Sequence, residues 1–238
     1  NTELSAKEGL PEDHLQLLTP YKEELPVSVF EKESQGLQFS DTTQKRQFMS
    51  LANNLLKEAG WTIRDGKRVD SSGEQLSFEI LLDNPEYEKI ALAFVKNLER
   101  MGINTNVRLL DTAAFRGRVN IYDFDMMLYY WSNSLSPGTE QLLYWGCDSA
   151  QQQAQWNFPG ICLQSVDYLS TQIASSKSRE DLILYARSLD HILMQGYFMI
   201  PLYYIGKDYV AYKSFIRHPK NTPLYGMVLE TWWAETTQ

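Results

Sequence analysis

Few residues of this 238-residue chain could make or break bonds. Asp123 and Asp125 alternate in the stretch DFDMMLYYW, so on a strand they share a face, although Asp123 sits at its entrance. A carboxylate pair of that kind could serve a glycosidase. The plainer reading is a strand-end cap together with a charge pairing across to Arg116 or Arg118. The three histidines, His14, His191 and His218, lie far apart, have no partner at metal-ligand spacing, and read as surface or capping residues. There is no G-x-S-x-G elbow, no P-loop and no G-x-G-x-x-G. The expectation is a protein that is not an enzyme and needs neither cofactor nor metal.

Recognition has a better seat. Residues 129–146, YYWSNSLSPGTEQLLYWG, place five aromatic side chains around a run of Ser, Asn, Pro and Gly that carries one charge, Glu140. Tyr and Trp supply large, rigid contact area and keep a polar handle. Ser and Asn hydroxyls and amides meet peptide groups or sugar hydroxyls alike. Such a wall suits a polar ligand that carries little charge where it touches. Just beyond lie Cys147 and Cys162. A disulfide there closes a loop of about 15 residues, worth roughly 3 kcal/mol in the chain-entropy model. It would imply an oxidising compartment. Two free thiols in a reducing one is the alternative reading, although nothing nearby resembles a metal or redox motif.

The elements that must position this wall are legible on either side. LSFEILL (76–82) reads as a strand. In NPEYEKIALAFVKNLERMG, Asn84-Pro85 opens a helix, Tyr87, Ile90, Ala91, Phe94 and Leu98 stripe one face, and Gly102 ends it. Residues 103–110 alternate as a second strand, Asp111 caps a short helix, and DFDMMLYYW is a third, largely apolar strand. This β-α-β-α-β order predicts parallel pairing through right-handed crossovers. The aromatic loop therefore starts at the carboxyl end of the third strand, where open α/β sheets hold their ligands.

Upstream, residues 1–40 read as an irregular lead-in with at most short helical turns, punctuated by Pro11, Pro20 and Pro26. A helix follows, with Phe48, Leu51, Ala52, Leu55, Leu56 and Ala59 at helical spacing and Gly60 at its end. TIRDGKRVDSSGEQ reads as a hairpin-like connection around Asp65-Gly66 and Ser72-Gly73. Downstream come a helix through Val166, Leu169 and Ile173, then one capped by Ser178 that runs through Leu182, Tyr185, Ala186, Leu189 and Leu193 to Gly196. FMIPLYYIGKDYVAYK reads as a strand pair. The expected domains are 1–40 as lead-in, 41–200 as an α/β body, and 201–238 as terminal strands and a return segment.

Composition sets outer bounds. Hydrophobic content of 43% and charged content of 22% are ordinary for a folded chain. A formal net charge of -8 argues against nucleic acid or anionic lipid as partner. The chain starts at Asn1, so a processed protein or a piece of a longer one is expected.

The run FEILLDNPEYEKIALAFVKNLERMGINTNVRLLDTAAFRGRVNIYDFDMMLYYWSNSLSPGTEQLLYWG, with IPLYYIGKDYVAYKSF and the closing ETWW, resembles the C-terminal part of a family 5 extracellular solute-binding protein. These are the oligopeptide/dipeptide-type receptors of ABC importers. The FDM…W…SLSPG.EQ..YWG pattern and the opening NTELSAKEGLP are similar to the Yej-type subgroup. The resemblance covers essentially the whole chain and implies an α/β, periplasmic-binding-protein-like lobe without its first lobe. It implies a periplasmic receptor that captures peptide in an inter-lobe cleft, closing by a hinge, and delivers it to an ABC permease in the inner membrane. Its further partner is the missing first lobe or N-terminal part of the same protein. A same-fold receptor for another solute, such as an oligosaccharide, is the alternative.

In oligopeptide receptors of this family, an Asp shortly after the Trp of the third strand pairs with the ligand's terminal ammonium. Here the matching segment after Trp131 is Ser132-Asn133-Ser134-Leu135-Ser136-Pro137, with no acid. The resemblance therefore implies a peptide with a blocked or modified amino end, such as a formylated, microcin C-like or murein-derived peptide. It places Tyr130, Trp131, Asn133, Ser134 and Ser136 on the cleft wall, with Trp145 and Asn157 beside them. Arg118 is a candidate for a ligand carboxylate or phosphate, with a salt bridge to Asp123 or Asp125 as the other reading. Trp145 and Trp156 could instead pack under the loop, and Trp232 and Trp233 are expected in packing between lobes.

Overall fold

Alternating apolar residues at the centre of the chain build a three-stranded parallel sheet. In the computed structural model, which describes residues 3–6, 10–31, 42–203, 206–207, 209–223 and 226–235, the chain divides into two compact units, Asn1–Met199 and Ile200–Gln238.

The first unit holds that sheet. Strand β3 (Ser77–Leu82) is central, with β4 (Asn104–Leu109) on one side and the short β5 (Met126–Met127) on the other. Both pairings are parallel, Ile80 lying opposite Val107 in β4 and Met126 in β5. Helix α3 (Glu88–Glu99) follows β3, and α4 (Thr112–Asn120) follows β4. Period-2 alternation along β3 divides its side chains between two helices. Ile80 and Leu82 pack with Ala91 and Val95 of α3. Leu81 packs with Phe115 and Val119 of α4. The layering is α/β/α, as the β-α-β-α-β reading requires. Caps fall where expected: Asn84 Oδ1 accepts from Glu86 N, and Asp111 Oδ1 from Ala114 N.

One end of the sheet is closed by α2 (Thr42–Glu58) and the antiparallel hairpin β1 (Thr62–Arg64) and β2 (Lys67–Val69). The hairpin turn has φ of 50° at Asp65 and 77° at Gly66, the left-handed pair that such a turn demands. Met49, Ala52 and Leu56 of α2 pack towards Leu98, Met101 and Ile103. Leu51 and Leu55, expected on the buried stripe, are exposed, because the covered face is rotated towards Met49. Residue order offers Asp41 or a following Thr as the cap of this helix, and Asp41 lies outside the described residues. Arg68 is buried and donates to the carbonyls of Met101 and Trp61 and to Asn53 Oδ1.

The other end is a helical layer. It comprises α1 (Glu12–Leu18), α5 (Glu140–Trp145), the single turn α6 (Cys147–Ala150), α7 (Gln164–Ser175) and α8 (Arg179–Gln195). Ser178 Oγ accepts from Asp181 N at the start of α8. The lead-in, expected to hold at most short helical turns, contains α1 and two 3-10 turns, Thr19–Tyr21 and Val27–Phe30, and its Leu18, Leu25 and Val29 enter the core with Leu169 and Ile192. Glu24 is the tie. Its carboxylate accepts from Gln164 N and Ser165 N, placing negative charge on the free amides that open α7.

The second unit pairs β6 (Ile216–Arg217) with β7 (Trp233–Ala234) in antiparallel fashion. The strand pair expected in 198–213 is not found among its described residues; Tyr204, Ile205 and Asp208 lie outside them. Tyr212, His218 and Trp232 form a ring cluster with centroids 4.9–5.3 Å apart. His218 Nδ1 donates to Pro219 O, and its Nε2 is hydrogen-bonded with Tyr212 Oη at 3.0 Å. Trp233 is exposed.

Candidate ligand-binding wall

The wall starts where β5 stops. Beyond Met127 the chain is in neither helix nor strand, and as far as Trp131 its side chains keep alternating. Leu128 joins the α3 face. Tyr129 and Trp131 turn the other way, onto Phe158, with centroids at 4.6 and 6.3 Å. Tyr130, between them, is 75% exposed. Ser132, Asn133, Ser134 and Ser136 follow, all exposed.

A continuous ring stack supports this strip. Trp131 contacts Tyr129 and Trp145 at 5.0 and 5.3 Å, and Trp145 contacts Tyr144 at 6.2 Å. Trp156 stacks on Tyr144 at 5.7 Å with planes 15° apart and is 45% exposed. Offset and edge contacts of this kind stabilise by about 0.5–1.5 kcal/mol each. Burial pushes the Tyr144 phenol up, so it stays protonated and donates to Ser132 O at 3.2 Å. Trp131 Nε1 is buried with no acceptor among the described residues.

The polar loop is tied by its own side chains. Ser134 Oγ donates to Ser136 O and accepts from Ser136 N. Glu140, the one carboxylate of the loop, folds back to accept from Gly138 N at 2.9 Å and from Gln141 Nε2 at 3.3 Å. Buried Gln141 also donates from Nε2 to Asn133 Oδ1 at 3.1 Å, and its Oε1 accepts from Trp145 Nε1 at 3.1 Å. From the other side, Arg179 Nη1 donates to Leu135 O, while Glu3 Oε1 holds the same guanidinium.

Cys147 and Cys162 form a disulfide, closing the loop that carries Phe158 under the wall. Asn157 sits inside that loop. Its Nδ2 donates to Gly146 O and Ile161 O, both at 2.8 Å, and its Oδ1 accepts from Ile161 N at 3.0 Å.

The structure therefore sorts the residues expected at the site. Tyr130, Trp131, Asn133, Ser134 and Ser136 fall on one strip with accessible surface. Asn157 does not: it is fully buried and its amide is spent on backbone. Trp145 lies beneath the wall, its indole committed to Gln141. Arg118 is also committed. It pairs with Glu79 at 2.5 Å and Asp123 at 2.8 Å. Burial alone would raise the Glu79 carboxyl, but hydrogen bonds from Arg118 and Arg108 outweigh it and hold the group below the usual carboxylate range. Asp125 accepts from Glu79 N, so the two aspartates cap and pair rather than flank a shared space. His14 and His191, expected as surface or capping residues, are buried. His191 Nε2 donates to Val29 O, and burial lowers its pKa. Missed from sequence were Gln141, Glu3 and Arg179; the first stands in the quoted motif but has no distinguishing pattern of its own.

Residues 26–153, just over half of the chain, match the family model "Bacterial extracellular solute-binding proteins, family 5 Middle". The chain is 38% identical over 197 residues to the peptidoglycan-binding protein YepA of Agrobacterium fabrum, covering 83% of this chain and 32% of that protein. It is 33% identical over 232 residues to the probable peptide-binding protein YejA of the same organism, covering 96% and 38%. It thus spans about a third of the length of these curated relatives. Among solved structures, it is similar to the periplasmic oligopeptide-binding protein of Thermotoga maritima crystallised with mannohexaose, with a TM-score of 0.60 and 16% identity over 86% of this chain and 40% of the other. That likeness concerns the mixed α/β fold. The match to more than half of the sequence shows that this chain belongs to the bacterial extracellular solute-binding proteins of family 5.

Proposed function

We propose that this chain supplies one wall of a solute-binding receptor for peptides whose amino end is blocked or otherwise modified, working in the periplasm and handing its ligand to an ABC permease. The observation that carries the reading is the strip Tyr130–Ser136 at the carboxyl end of the sheet, whose own side chains carry no charge, while the two carboxylates described beside it are engaged, Glu140 with Gly138 and Gln141 and Glu3 with Arg179. A free ammonium buried against such a strip would lack its counter-charge, a costly arrangement. An acylated amine presents only amide chemistry, which Ser and Asn match. The names of the relatives, one a peptidoglycan-binding and one a probable peptide-binding protein, support a peptide, cell-wall peptides included.

Calorimetry on the receptor at its full encoded length, with tetra-alanine carrying either a formylated or a free amino end, tests this. Tighter binding of the formylated form is expected; a clear preference for the free amine sinks the reading. An oligosaccharide ligand is a second reading, favoured by the exposure of the Trp156 ring and by the mannohexaose held by the Thermotoga maritima protein. Titration with mannohexaose in place of peptide decides it.

A further inference from the structure

Three side chains behind the wall form a directed hydrogen-bond relay that ends on the ligand side. Its inner end is Trp145, 6% exposed, whose indole nitrogen can only donate. Trp145 Nε1 donates to Gln141 Oε1 at 3.1 Å. That bond leaves the nitrogen of the Gln141 amide to point the other way. Glu140 Oε1, an obligate acceptor when ionised, takes one of its hydrogens at 3.3 Å and so favours the same orientation. The other hydrogen goes to Asn133 at 3.1 Å, which must offer Oδ1. Gln141 is itself only 6% exposed, so water does not compete for these positions. Asn133, by contrast, is exposed, and its Nδ2 has no partner among the described residues. An isolated Asn can present oxygen or nitrogen equally well. This one cannot.

We propose that Asn133 is a specificity-determining residue that presents its NH2, and only its NH2, to the ligand, with Trp145 and Gln141 as the positioning residues that fix this polarity. The inference deepens the reading given under Proposed function and rests on it. The ligand group it selects is a neutral hydrogen-bond acceptor, such as the carbonyl oxygen of an acylated amino end. An ammonium, with donors alone, meets a donor there and is refused.

The relay can be reversed. In Gln141→Glu the new side chain still accepts from Trp145, and its second oxygen, about where Nε2 stood 3.3 Å from Glu140 Oε1, shares one proton with that carboxylate and keeps a lone pair for Asn133. Asn133 then turns its NH2 inward and offers Oδ1 to the ligand. The full-length receptor and its variants are titrated with formylated and free-amine tetra-alanine, and the ratio of the two dissociation constants is the readout. Gln141→Glu is expected to move that ratio by at least tenfold towards the free amine. Adding Asn133→Ala to Gln141→Glu separates the relay from the bare charge. If the shift disappears in the double variant, the relay stands; if it survives, the new carboxylate acts through space and the proposal is overturned. No shift in a folded Gln141→Glu overturns it equally. Should that variant not fold, Asn133→Ala alone decides: the preference for the formylated peptide must collapse, and an unchanged ratio refutes the assignment.

A ligand-independent arm keeps the two readings apart. With asparagine and glutamine side-chain amides labelled with nitrogen-15, wild-type Gln141 NH2 is expected to exchange slowly with water and Asn133 NH2 rapidly. Fast exchange at both refutes the relay whatever the receptor binds. Slow exchange at Gln141 in a receptor that prefers the free amine leaves the relay in place and removes the blocked-peptide reading.

Discussion

Replacing Asn157 tests whether the ligand wall rests on the disulfide loop beneath it. The side chain is fully buried and makes three hydrogen bonds of 2.8–3.0 Å to Gly146 O, Ile161 O and Ile161 N. At a net value of about 1 kcal/mol each, Asn157→Ala should cost about 3 kcal/mol, since the three backbone partners stay buried without replacement. Asn157→Asp is sharper because it keeps the shape. An oxygen then faces two carbonyl oxygens, so the folded state favours the protonated acid and raises its pKa above the unfolded value of about 3.9. The folded variant binds more protons than the unfolded one between those two pKa values, so its stability falls as pH rises through that window and levels off above the folded pKa. Below the unfolded pKa the variant should sit closest to the wild type, short only of one hydrogen bond, because a neutral acid donates once where the amide donates twice. Urea unfolding followed by tryptophan fluorescence, from pH 3 to pH 8 with the disulfide intact, measures the difference at each pH. A loss below about 1 kcal/mol for Asn157→Ala, or a flat pH difference for Asn157→Asp, would show that the loop does not depend on this amide.

Further outcomes follow from other buried contacts. His191 is neutral and buried, and its pKa is lowered by burial, so the unfolded chain takes up its proton first as pH falls below about 6.5 and stability drops there. His191→Gln should lessen that drop between pH 7 and pH 5 in the same assay, and an unchanged slope refutes it. Gly102→Ala should destabilise by about 2 kcal/mol or more, because φ is 79° and the new Cβ would lie 2.7 Å from Arg68 N. Thermal unfolding reads this directly. Glu24→Ala removes the acceptor of the first amides of α7 and should cost about 1–2 kcal/mol, seen as faster amide exchange at Gln164 and Ser165.

The β-α-β-α-β core was readable because its signals are local. Ile80, Leu81 and Leu82 had to be buried on both sheet faces, and Asn84, Asp111 and Ser178 cap helices through neighbours two or three residues away. The position of the aromatic loop at the end of β5, and the missing acid after Trp131, were likewise present in residue order alone. What residue order could not decide was which polar side chains are spent. Asn157 and Arg118 have the chemistry of ligand contacts, yet one is consumed by Gly146 and Ile161 and the other by Glu79 and Asp123. Leu18 and Val29 belong to a segment read as an irregular lead-in with at most short turns, and they are buried because α8 offers them an apolar face more than 150 residues away. Hydrogen-bond polarity is the clearest case. Residue order marked Trp145 and Asn133 as wall candidates but passed over Gln141, and only the burial of Trp145 and Gln141 together fixes which end of exposed Asn133 faces out, because a buried donor must find an acceptor and each bond then dictates the next.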